Sequence, residues 1–148
     1  MTYASAPATN SVPLSQPLYG ASIADAFRRF WTKYGTFSGR ASRSEYWWWV
    51  LIAAVVAFVL QILSTVAGAS SNSSGPSALF VVVAILAVVW GLATIIPSFA
   101  LLARRLHDAN YSGWFMLLGL IPFVGGIIVL VFALLPSNPA GQRFDQPA

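Results

Sequence analysis

The 148-residue sequence has no cysteine, one histidine and little charge: 8% of its residues are Asp, Glu, Lys or Arg, against roughly a quarter in an ordinary soluble domain. Each shortage excludes something. Without cysteine there is no disulfide framework, no thiolate nucleophile and no sulfur-ligated metal or iron–sulfur centre. His107 and four scattered carboxylates (Asp25, Glu45, Asp108 and Asp145) do not make a zinc constellation, so neither a metal nor another cofactor is expected. No charged residue occurs in 46–103 or in 109–142, and gaps of that length cannot coat a soluble globule.

What is present is apolar: 57% of residues are hydrophobic, gathered into three runs at 47–67, 78–103 and 114–135. At about 1.5 Å per residue each can cross a hydrocarbon layer of roughly 30 Å, and only helices satisfy the backbone of such a segment internally. Ahead of them, Ile23, Phe27, Phe30, Trp31 and Tyr34 recur at helical spacing, with Arg28, Arg29 and Lys33 on the other side and Ser22 and Asp25 as an N-terminal cap. The expected fold is therefore all-α: a polytopic membrane protein with an interfacial amphipathic helix followed by three transmembrane helices. The aromatic face either enters the headgroup region or packs on the bundle. Residues 1–18 carry no charge and are rich in small polar residues and proline, a composition that cannot bury a core, and are expected to be a disordered tail, leaving a membrane domain at 19–144 and a short end at 145–148.

Seven of the eight cations fall on one side if there are three crossings, which places the N-terminus in the cytoplasm and Arg143 outside. Pro122 and the Gly125–Gly126 pair leave open a broken or re-entrant third segment that returns the C-terminus, with length favouring a full crossing. The net charge of +4 belongs to basic residues beside apolar runs, so anionic lipid, rather than nucleic acid, is the expected partner.

One charged cluster stands out: Arg40, Arg43 and Glu45 before the first run, and Arg104, Arg105, His107 and Asp108 after the second. Arg104 and Asp108 are four apart and suited to pair, and Glu45 has Arg partners on either element. The cluster is either an anion or headgroup site built from guanidinium forks, or a set of ion pairs fixing helix ends. Along the second run, the small residues Ala84, Ala87, Gly91, Thr94 and Ser98 form a stripe suited to close helix packing, within the chain or in a homo-oligomer.

The run Phe37-Ser-Gly-Arg-Ala-Ser-Arg-Ser-Glu-Tyr-Trp47, then Arg104-Arg-Leu-His-Asp108, Ser112-Gly-Trp114 and Ile121-Pro-Phe-Val-Gly125, resembles the DUF805 family of small bacterial inner-membrane proteins, over about residues 23–144. The ending departs from the family's Gly-x-Asn-Arg-Phe-Gly: here it is Gly141, Gln142, Arg143, Phe144, Asp145. The resemblance implies a bacterial inner membrane and no particular chemistry. The expected function is non-enzymatic: a structural, scaffolding or lipid-associated component with a basic cytoplasmic face. An oligomeric channel or transporter, and a lipid-modifying enzyme using His107 and Asp108, are the alternatives.

Overall fold

The computed structural model describes residues 12–145, which are helical apart from connections and one isolated Asn72–Gly75 bridge. The order is α1 (Ile23–Thr32), α2 (Arg43–Ala69), α3 (Ala78–Asp108), a 3₁₀ helix (Gly113–Leu120), α4 (Gly125–Leu134) and a second 3₁₀ helix (Pro139–Phe144). Two compact units divide the chain, one of residues 1–49 with 97–148, the other of residues 50–96.

Residues 50–96 comprise most of α2, the connection and the first part of α3. Apolar side chains such as Phe58, Val88 and Leu92 lie exposed along them. Continuous exposed apolar surface of this kind is stable in lipid, not in water. Both helices, 27 and 31 residues in full, are long and apolar enough to cross a membrane. Ser77 starts α3 by accepting from Phe80 N at 3.1 Å, while its hydroxyl donates to Ala67 O near the end of α2. In the small-residue stripe Ala84 is exposed, and a Cβ added at Gly91 would meet nothing within 4 Å.

The other unit holds every charged residue of the chain. Helix α1 begins at a complete capping box: Ser22 Oγ accepts from Asp25 N and Asp25 accepts from Ser22 N. Its inward face differs from the expected one. Ala26, Arg29, Phe30 and Lys33, spaced by one helical turn, are buried, while Ile23, Phe27 and Tyr34 are exposed. Of the aromatic stripe Phe30, stacked on Trp49, is the buried anchor and Trp31 packs edge-on against the same Trp49; Arg29 and Lys33 point inward with Phe30.

A second capping box starts α2. Glu45 N donates to Ser42 Oγ at 3.2 Å, and Ser42 N donates to Glu45 Oε2 at 2.8 Å. Helix α3 ends where Asn110 adopts a left-handed φ of 65°. Asn110 N bonds His107 O and Tyr111 N bonds Leu106 O, a Schellman closure. The expected disordered tail lies outside the described residues for 1–11. Residues 12–18 are held in place, because Pro13 and Gln16 carbonyls accept from Arg29 Nη2 and Leu18 N donates to Glu45.

The third apolar run is not one helix. It is the 3₁₀ helix Gly113–Leu120, a turn at 121–124, and α4 packed back against the 3₁₀ helix. Ser112 caps the first arm through Trp114 N, and Leu118 O accepts from Ile121 N, so Pro122 orphans no carbonyl there. Gly125 is required by proximity: a Cβ would lie 2.5 Å from Gly119 O and 2.7 Å from Leu118 O. Phe123, 99% exposed with φ 66°, forms the tip. Both ends of this hairpin meet the last turn of α3. Tyr111 at its entrance lies 5.1 Å, ring to ring, from Phe132 near its exit, and Asn138 N donates to Asp108 O at 2.8 Å.

Candidate functional site

The charged residues expected to cluster divide into two groups and two outliers. The first group is centred on Asp108, which is fully buried. Its carboxylate accepts from Tyr19 Oη at 2.9 Å, Arg105 Nη1 at 2.8 Å, Arg40 Nη1 at 3.5 Å and Ser137 Oγ. Arg40 also grips Asp145 with both Nε and Nη2, at 2.7 and 2.8 Å, the bidentate geometry that planar guanidinium favours. Arg105 spends its remaining donors on the carbonyls of Ala133 and Leu135 at the end of α4. Two cations face two carboxylates here. Hydrogen bonding to Asp145 raises the Arg40 pKa, and burial, followed by the bond to Asp108, raises that of the Tyr19 phenol. This group is a closed structural lock tying residues 19 and 40 and the chain after α4 to the end of α3.

The second group is built differently. Glu45 Oε1 lies 3.1 Å from Arg29 Nε, a charge contact not aligned for a hydrogen bond, while Glu45 Oε2 accepts from the amides of Leu18 and Ser42. Arg104, expected to pair with Asp108, instead interacts with Glu45 and Arg29, because Arg105 has taken the carboxylate at three-residue spacing. Arg104 Nε is used on Ala100 O one turn back. Lys33 completes the group. Burial, then the like charge of Arg104, holds its ammonium down to about 7 from an ordinary 10.5, with Glu45, Arg29 and Asp145 acting more weakly. Arg29, Lys33 and Arg104 are 7%, 2% and 1% exposed. Among the described residues Arg29 Nη1, Lys33 Nζ and Arg104 Nη2 have no hydrogen-bond partner.

Arg43 is exposed and acts on Arg105 as a nearby like charge. His107 points away from Asp108. Its Nδ1 lies 3.0 Å from Gly39 O and its ring stacks on Phe144, so the two neighbours in sequence make no dyad. Gly39, at φ 79°, is fixed by this contact and by close approach to Ser15, whose carbonyl would stand 2.7 Å from a Cβ. An apolar cleft of about 620 Å³ opens beside His107, lined by Phe37, Ala103, Trp114, Met116 and Phe144. No group of three or more His, Cys, Asp or Glu suited to a metal occurs among the described residues.

Arg143, expected outside, lies at the same end as the locked group, donating to Asn110 O at 3.4 Å. Sequence reasoning missed Tyr19, Ser137 and Asp145 as partners and placed Arg29 and Lys33 on an outward face. The signal for the last two was there: Ala26, Arg29, Phe30 and Lys33 follow the same helical spacing as the aromatic stripe.

Residues 34–146 match a family described as protein of unknown function, DUF805. The chain is 35% identical over 120 residues to inner membrane protein YhaH of Escherichia coli (strain K12), covering 81% of this chain and 93% of that protein. It is 34% identical over 111 residues to inner membrane protein YhaI of the same strain, covering 75% and 84%. No solved structure matches.

Proposed function

This chain belongs to the DUF805 family, and on that premise we propose that it is a lipid-associated, non-enzymatic scaffold of the bacterial inner membrane, with one ion-paired cytoplasmic unit carried by two spans. The third apolar run is a re-entrant hairpin in this reading. Its arms, an eight-residue 3₁₀ helix and a ten-residue α-helix, each extend about 15 Å, half the hydrocarbon thickness. The exposed tip at Ile121, Phe123 and Val124 suits lipid, and the Val124 and Gly125 amides are bonded within the turn.

The observation that carries the reading is the confinement of all eight cations and all four carboxylates to one unit. Two crossings put that unit, Arg143 included, on a single side, which the positive-inside rule makes cytoplasmic. Native mass spectrometry of protein gently extracted from its own membrane tests the lipid association. Copies carrying anionic phospholipid are expected. Copies uniformly free of lipid would overturn it.

A further inference from the structure

The two buried charge groups differ in their balance. Around Asp108, Arg40 and Arg105 meet two carboxylates and every charged group is bonded. Around Glu45, three cations meet one carboxylate whose oxygens already serve two backbone amides and Arg29. Leaving a buried cation uncompensated is costly, far more so than leaving one in water. Here the unpartnered atoms belong to three such residues, all more than nine-tenths buried: Arg29 Nη1, Lys33 Nζ and Arg104 Nη2.

They come from two elements. Arg29 and Lys33 lie one turn apart on α1, and Arg104 stands near the end of α3, close enough for all three to interact electrostatically with one another and with Glu45. Two planar guanidinium groups and one ammonium, each with a donor to spare, match an anion that accepts several hydrogen bonds in diverging directions. A tetrahedral oxyanion has that form; a carboxylate, with two coplanar oxygens, fits less well.

We propose that Arg29, Lys33 and Arg104 form a receptor for a phosphate group, supplied either by a lipid headgroup or by a soluble phosphate. This deepens the lipid-associated reading and rests on it where the source is a headgroup. The soluble source does not depend on that reading. Glu45 has the role of fixing Arg29 and sparing Lys33 and Arg104 for the ligand. The locked Asp108 group holds the end of α3 in place beside it.

The test is thermal unfolding of the purified chain at pH 6.5 in a maltoside detergent, which contributes no phosphate of its own. Inorganic phosphate at millimolar concentration is compared with chloride at matched ionic strength, and a short-chain phosphatidic acid forms a second arm. Wild-type protein is expected to gain several degrees from one or both ligands and none from chloride. Lys33→Met, which removes an unpaired buried charge and so keeps the fold, should weaken the response about tenfold in apparent Kd; Lys33→Arg should retain it. A response to both ligands identifies phosphate as sufficient, and a response to the lipid alone assigns a headgroup. No response to either, or an undiminished response in Lys33→Met, overturns the proposal. In that event lipid retained in native mass spectrometry would still support the scaffold reading.

Discussion

Asp108 accepts hydrogen bonds from four side chains, and its removal leaves more than one of them stranded. Asp108→Asn leaves the Arg105 guanidinium buried without its counter-charge, a change expected to cost about 3–5 kcal/mol and to appear as a sharply lowered unfolding temperature in detergent. Lys33 predicts the opposite sign. Its folded pKa of about 7 lies below the ordinary 10.5, so between those values the unfolded chain binds a proton that the folded chain does not. Stability should therefore rise with pH from about 7 to 10 and be insensitive to this group below 7. The charged groups facing it are Arg29, Arg104, Glu45 and Asp145. In Lys33→Met the rise should vanish and the melting temperature at pH 6.5 should increase. At this scale the sequence identified Asp108, Arg40, Arg105 and Glu45 as members of a charged cluster. It could not assign partners, because Arg104 and Arg105 both lie within a helical turn of Asp108 and only the fold decides which faces it.

The elements were legible where local chemistry marks their ends. The cap at Ser22 formed as its spacing with Asp25 predicts, and the box at Ser42 and the cap at Ser112 start their elements by the same local chemistry. The third run was harder to read, since its length satisfies a crossing whether or not it is continuous. The break depends on Gly125 meeting Gly119 and on Phe123 accepting a left-handed backbone, neither of which shows in hydropathy. Gly125→Ala places a methyl group against two carbonyl oxygens of the opposing arm and should open the hairpin, lowering thermal stability by about 1–3 kcal/mol. The absence of native cysteine makes topology directly measurable. A single cysteine at Ser73 should react with an impermeant maleimide from the periplasmic side of intact cells, and one at Gln142 only in inverted vesicles. Labelling of both from outside would restore a third crossing.

For the whole molecule, composition alone identified the solvent: a chain with 8% charged residues and two long neutral gaps belongs in lipid. Composition did not reveal that the charged residues would all share one compact unit, because 12 of them are scattered across 121 positions of sequence, from Asp25 to Asp145. A Cβ at Gly91 would meet nothing within 4 Å, and we expect a homo-oligomer in native mass spectrometry that Gly91→Leu converts to a monomer.

The hairpin has a mechanical corollary. A pair of arms that reaches only half the hydrocarbon depth adds protein volume to one leaflet and none to the other. On the proposed topology every copy inserted expands the area of the cytoplasmic monolayer relative to its opposite, and a membrane relieves that mismatch only by bending or by redistributing lipid between its faces. In this way the chain alters the shape of the bilayer that contains it, in proportion to its local density.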